Sequence, residues 1–174
     1  MKIFFYIYFL VFFLSIKAFA TNIATINTEY ILSKAENYIS FLNELEKIKD
    51  SLELNLKEKE KILLKDKEEI ENSKLFLNEK EINKLFDDYN IKISNFQNNL
   101  KNINLSIAEN LERNRILLLD QIIILSQDIS KDKKIDIILD QNHYFISSEH
   151  IDISNIIIER LNLLNIKMII QPIK

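Results

Sequence analysis

From Leu42 onward, apolar residues recur in steps of three, four and seven, at Leu42, Leu45, Leu52, Leu56, Leu63, Ile70 and Leu77, the spacing of one helical face. The seam thins on the way, because Lys59, Asp66 and Ser73 stand where further apolar residues are due. After a polar interruption the pattern resumes more strictly as a heptad, through Leu85, Tyr89, Ile93, Phe96, Leu100, Ile103, Ile107, Leu111, Leu118, Ile122, Leu125 and Ile129. The sequence has no Gly, and its one Pro is Pro172, so nothing forces these helices to break. Glu53 with Lys57, Asp88 with Lys92 and Glu109 with Arg113 offer acid-first pairs at four-residue spacing. One continuous helix of about 90 residues would run about 135 Å, and two antiparallel arms of about 40 would be half as long. Asn78 followed by Glu81 forms a capping-box pattern and favours the hairpin, with its tip near residues 72–80.

The flanking segments have a different period. Ile23-Ala24-Thr25-Ile26 reads as a strand, followed by a helix start near Thr28. Ile135 to Leu139 reads as a second strand and Tyr144-Phe145-Ile146 as a third, with Asp140-Gln141-Asn142-His143 turning between them. Asp152 or Ser154 can cap a short helix to about Leu164, and Met168-Ile169-Ile170 reads as a last strand. The fold expected is therefore α+β: a helical coiled-coil arm, residues 36–130, projecting from a small β-rich head built from 21–35 and 131–174. A head of about 15 plus about 44 residues falls short of the ~70 that usually sustain a core alone, so self-association through it is expected.

The first twenty residues are a different polymer. Lys2 precedes an unbroken apolar run from Ile3 to Leu14, then Ser15-Ile16-Lys17 and the small-residue site Ala18-Phe19-Ala20. This is the pattern of a secretory signal peptide cleaved after Ala20. The competing reading is an uncleaved anchor, for which the run is short of the roughly 20 residues that cross a bilayer. Cleavage would remove Lys2 and Lys17 from the 23 basic residues and leave all 26 acidic ones, a net charge of 21 − 26 = −5.

Composition then removes several chemistries. Without Gly there is no phosphate-cradling loop, and without Cys no disulfide, thiol nucleophile or thiolate zinc site. His143 and His150 are too few for an imidazole cage, and they suit turn polarity better than a pH switch. Asp132, Asp136 and Asp140 recur every four residues, but on a strand and its flanks such carboxylates do not converge. The charge runs Lys57 to Lys61 and Lys65 to Glu71 suit a solvated helix face, and the acidic balance argues against nucleic acid. The reading is of a non-enzyme with no cofactor and no metal.

The order of these elements resembles the Skp/OmpH-type periplasmic chaperones over the whole mature chain. The resemblance rests on Ile23 to Asn27 running into Glu29-Tyr30-Ile31-Leu32, on the hairpin, and on the C-terminal block Ile135 to Asp140, Tyr144-Phe145, Ile151 to Asn155 and Leu161-Asn162. The family's Asp-Ile-Thr element stands here as Asp152-Ile153-Ser154. The resemblance implies a homotrimer, its strands forming an intersubunit barrel and its three arms enclosing unfolded outer-membrane β-barrel proteins, without ATP. Ile23, Ile26, Ile135, Ile137, Leu139, Phe145, Ile153 and Ile157 are the residues expected to carry oligomerisation. Leu75, Phe76, Leu77, Phe86, Tyr89 and Phe96 are expected to touch clients, since apolar residues near the tip exceed what one seam needs; zipping one arm to the other is the plainer use of each. One departure is charge: residues 41–120 hold 14 basic and 17 acidic side chains, so no lipopolysaccharide site is carried over. The alternative from another class is a coiled-coil spacer or adaptor held to the inner membrane by an uncut N-terminus.

Overall fold

The computed structural model describes residues 21–173, and the leader assigned to residues 1–20 lies outside them. The chain runs β1 (Ile23–Ile26), α1 (Thr28–Lys34), α2 (Glu36–Ser73), α3 (Glu79–Lys133), β2 (Ile137–Asp140) and α4 (Ser154–Asn162), with 3-10 turns at Gln141–His143 and Glu149–Ile151. Helices α2 and α3 form the long antiparallel hairpin. Its tip is closed by the capping box: Asn78 Oδ1 accepts from the Glu81 N–H at 3.0 Å, and Glu81 Oε2 accepts from the Asn78 N–H at 3.1 Å.

The arms are unequal, which corrects the expectation of two similar helices. At 1.5 Å per residue, the 38 residues of α2 span about 57 Å and the 55 of α3 about 82 Å. The surplus of α3 enters the head, where Leu118, Ile122 and Ile129 pack with Ile31, Ile157 and Leu161 in one buried cluster. A residue count that leaves this helix out understates the core of the head.

Two positions in the seam also differ from the periodicity. On α2, Phe41 and Leu45 are buried while Leu42 is exposed. Phe41 and Leu45 are four residues apart and share one face of α2, which starts after the extended Ala35 (φ −72°, ψ 109°), and Leu42 falls to the side of that face. Phe41 then stacks on Tyr38, ring centroids 5.8 Å apart. On α3, Asn110 and Asn114 occupy buried positions on either side of the expected Leu111, and both bond to the backbone of the C-terminal tail.

β1 and β2 pair in parallel, Ile23 opposite Ile137 through Ile26 opposite Asp140, with the entire hairpin as the crossover. β2 starts at Ile137 rather than Ile135 because the chain leaving α3 is still closing the helix. The Ile135 N–H bonds back to Ser130 O at 2.9 Å, and Lys134 takes the left-handed C-terminal conformation (φ 54°, ψ 45°) that glycine usually fills. The expected third strand at Tyr144–Ile146 is irregular and projects outward. Its place beside β1 is taken by Asp152, which bridges to Thr25, and by the Ile153 N–H, which donates to Thr25 O at 2.9 Å. Met168–Ile170 is likewise not a strand of the sheet, and lies instead against α3.

Side chains tie these pieces together. Asp152 Oδ1 accepts from the Ser154 N–H at 2.7 Å and from its hydroxyl at 2.6 Å, while the Ser154 oxygen accepts from the Asn27 N–H at 2.8 Å. Asp152 and Ser154 therefore share the start of α4 and fasten it to the end of β1. Asp140, at the end of β2, accepts from the Thr28 N–H and hydroxyl and from the Asn142 N–H.

Candidate functional site

The tip places the six expected client residues in two settings. Leu75 and Phe76 stand on the turn, 80% and 85% exposed, with Leu77 beside them. Phe86, Tyr89 and Phe96 are half-buried on α3. Lys74 Nζ lies 5.2 Å from the Phe86 ring centroid, a cation–π contact that covers the ring from the turn. Tyr89 lines an open cleft of about 480 Å³ between the arms, with Asp66, Ile70, Leu85 and Lys92. Phe96 lines the next, about 340 Å³, with Lys59, Ile62, Leu63 and Asn99. Between these clefts Lys92 reaches across to Asp66, Nζ to Oδ2 2.7 Å, instead of pairing along its own helix with Asp88. The hydrogen bond and the Asp66 charge hold the Lys92 ammonium above its ordinary pKa.

Further apolar surface lies outside the seam. Ile91, Leu105, Ile116 and Ile123 are all about half exposed. Their separations are close to four, three and two whole turns at 3.6 residues per turn, so they share one face of α3. Counting i, i+3 and i, i+4 neighbours cannot find such a face, because its members lie several turns apart; scoring each rotational phase of a 55-residue helix separately would have.

In the head the residues expected to carry oligomerisation fall into three groups. Ile23 and Ile137, opposite each other in the sheet, are exposed, and Phe145 is fully so. Ile26, Ile135 and Leu139 are half-buried. Ile153 and Ile157 lie in the subunit's own core, against α3. Beside the sheet, Ile26, Leu119, Ile123 and Ile138 line an open groove of about 480 Å³. Among the described residues, the outer edge of β2 has no strand partner.

The ionisable groups are dispersed. Asp132 pairs with Arg160 at 3.2 Å, Asp136 accepts from the Asn22 N–H at 2.8 Å, and Asp140 serves Thr28 and Asn142. Burial pushes the Asp140 carboxyl up, but hydrogen bonds from Thr28 and Asn142, with His143 nearby, bring it below the ordinary aspartate range. His150 Nδ1 bonds the Ser148 hydroxyl at 2.8 Å. Burial raises the Tyr38 phenol, and the Arg115 charge opposes this in part. Among the described residues no cluster of His, Asp and Glu is arranged to hold a metal, and no helix is long and apolar enough to cross a membrane. What the surface offers is apolar contact area along a pronged hairpin.

The profile of the family described as Outer membrane protein (OmpH-like) matches residues 22–161. Among solved structures, the chain is similar to an OmpH-like protein of Caulobacter crescentus CB15, described there as a candidate outer membrane chaperone. The TM-score is 0.73 at 10% identity, covering 84% of this chain and 86% of that one. No curated protein matches the sequence. The matched region takes in both strands, the whole hairpin and nearly all of α4, and on that ground the chain belongs to the OmpH-like family.

Proposed function

We propose that the protein is an ATP-independent holdase of the periplasm, exported by a signal peptide cleaved after Ala20. It keeps unfolded outer-membrane β-barrel proteins from aggregating on their way to the outer membrane. The observation that carries this reading is the tip, where Leu75 and Phe76 present large apolar side chains to solvent at the end of a long arm. Isolated exposed leucines need no explanation, but adjacent, nearly bare Leu and Phe at the point farthest from the core mark a contact surface. Burial of apolar area is non-directional and indifferent to client sequence, which suits a protein that must hold many unrelated unfolded chains. Family membership supports a chaperone role, and the dispersed carboxylates favour binding over chemistry.

Self-association through the head completes the proposal. β2 offers a four-residue open edge, and an open edge is a template for a strand from another copy. Ile137 on that strand and Ile23 opposite it are exposed, as is Phe145, and Ile138 of the same strand lines the groove with Ile26, Leu119 and Ile123. In a homotrimer three arms would surround one client, and many weak contacts would add through high local concentration. The α3 face carrying Ile91, Leu105, Ile116 and Ile123 would then extend the client surface from tip to base.

The test is replacement of Leu75 and Phe76 together by Ser. Both side chains are exposed, so thermal stability should stay within about 0.5 kcal/mol of the parent. Light scattering of a diluted, urea-unfolded porin should show markedly weaker suppression of aggregation. Full suppression by the double variant would remove the client assignment from the tip.

A further inference from the structure

Beyond α4 the chain continues as a tail with strand-like alternation and no strand partner. Leu164, Ile166, Met168 and Ile170 are half-buried, whereas Lys167, Ile169 and Gln171 are exposed. The family profile ends at residue 161, so this tail lies outside the region the family match covers. It is held by the side-chain amides of Asn110 and Asn114 on α3, each 2% exposed. Asn114 accepts from the Ile169 N–H at 3.1 Å and donates to its carbonyl at 3.0 Å. Asn110 accepts from the Gln171 N–H at 2.6 Å and donates to its carbonyl at 3.2 Å.

The spacings explain the fit. Residues four apart on a helix rise about 6.0 Å, and residues two apart in an extended chain rise about 6.6 Å. Asn110 and Asn114 therefore act as two rungs of a strand edge mounted on a helix. Their amides are fixed by bonds back to Ser106 O and Asn110 O, both 2.8 Å. All four tail bonds go to main-chain atoms, so they select an extended backbone and ignore its sequence. The side chains of Leu164, Ile166 and Met168 meanwhile pack against the head core. Main-chain bonds plus alternate side-chain pockets are the terms on which proteins accept an added strand.

We propose that the Asn110–Asn114 edge is a binding site for extended segments of unfolded polypeptide with alternating apolar side chains, and that the tail is its exchangeable resident. The tail follows the last described helix and forms no part of the β1–β2 sheet, so its departure breaks no strand pairing. A resident on a short tether has an effective concentration on the order of millimolar. Only segments that are themselves locally concentrated, such as those of a chain already held by the arms, displace it. The tail is thus a threshold that reserves the site for captured chains.

The probe is a fluorescent nine-residue peptide copying Asn165–Ile173, and its twin N-methylated at the positions of Ile169 and Gln171. In the purified protein, peptide raised above the tail's own effective concentration, to roughly 10 mM, should accelerate hydrogen exchange of the Ile169 and Gln171 amides at least tenfold, and the N-methylated twin should not. A variant ending at Leu163 should bind the peptide at least tenfold more tightly than the full chain by anisotropy. A shuffled peptide that keeps the alternation should bind it within about threefold. Unchanged exchange in the full chain, or equal binding of the N-methylated twin, would overturn the proposal and leave the tail a fixed strap. Tip residues are unaltered throughout, so failure here is distinct from failure of the holdase reading.

Discussion

Asp140 shows how far a single side chain can be read. As a turn residue after a strand it is ordinary, but its carboxylate also fastens the first turn of α1, 112 residues earlier. Its folded pKa is depressed, so its contribution to stability is complete above the ordinary aspartate value near 3.9 and is lost as pH falls toward the folded value. Asp140→Asn should therefore flatten the acid limb of a melting-temperature profile below about pH 4 while costing about 1 kcal/mol at neutral pH, by the usual worth of such caps. Lys134 is the converse case. It occupies a left-handed conformation because the chain has no glycine to put there, and Lys134→Gly should raise unfolding free energy by about 1 kcal/mol in urea titration. The Asn78–Glu81 box was legible because its partners are three residues apart. Neither Asp140's partner nor Lys134's backbone leaves a local pattern to read.

Among the elements, the hairpin was written in the periodicity and the details of its register were not. At the start of α2 the residue buried with Leu45 is Phe41, four positions earlier, rather than Leu42, three positions earlier. Phe41→Ala should cost about 3 kcal/mol by cavity formation, and Leu42→Ala well under 1 kcal/mol, compared by denaturant midpoints at constant m. Equal costs would put the seam back where simple counting places it. Strands were harder than helices. Tyr144–Ile146 has strand composition but faces outward, while Asp152, a poor strand former, pairs beside β1. The alternation near Met168 was genuine, yet its partner is a pair of amides on a helix. Period-two sequence tells that a segment is extended and sided; it does not tell what lies at its edge.

For the whole molecule, residue counting pointed to a head too small to stand alone. With Leu118, Ile122 and Ile129 supplied by α3, the head has a core of its own. The case for assembly therefore passes to surface, to the open edge of β2 and the exposed Ile23, Ile137 and Phe145. Ile137→Asp should leave the helical signal in circular dichroism unchanged while reducing the mass by light scattering to that of one chain. A parent protein that is already monomeric would remove the assembly proposal. Candidate contact residues at the tip were legible as an excess over one seam; the face bearing Ile91 and Ile123 was not, because helical neighbours and helical faces are different sets.

The parallel pairing of β1 with β2 sets an order of events during biogenesis. Strand one is made first, yet its register partner lies 114 positions later, so it must wait, unpaired, until the whole prong and its return have been delivered. The hairpin closes on local contacts in the meantime. The exposed edge of β2 is thus completed only after both long helices have been made, so the base of the molecule is the last part to take its final form.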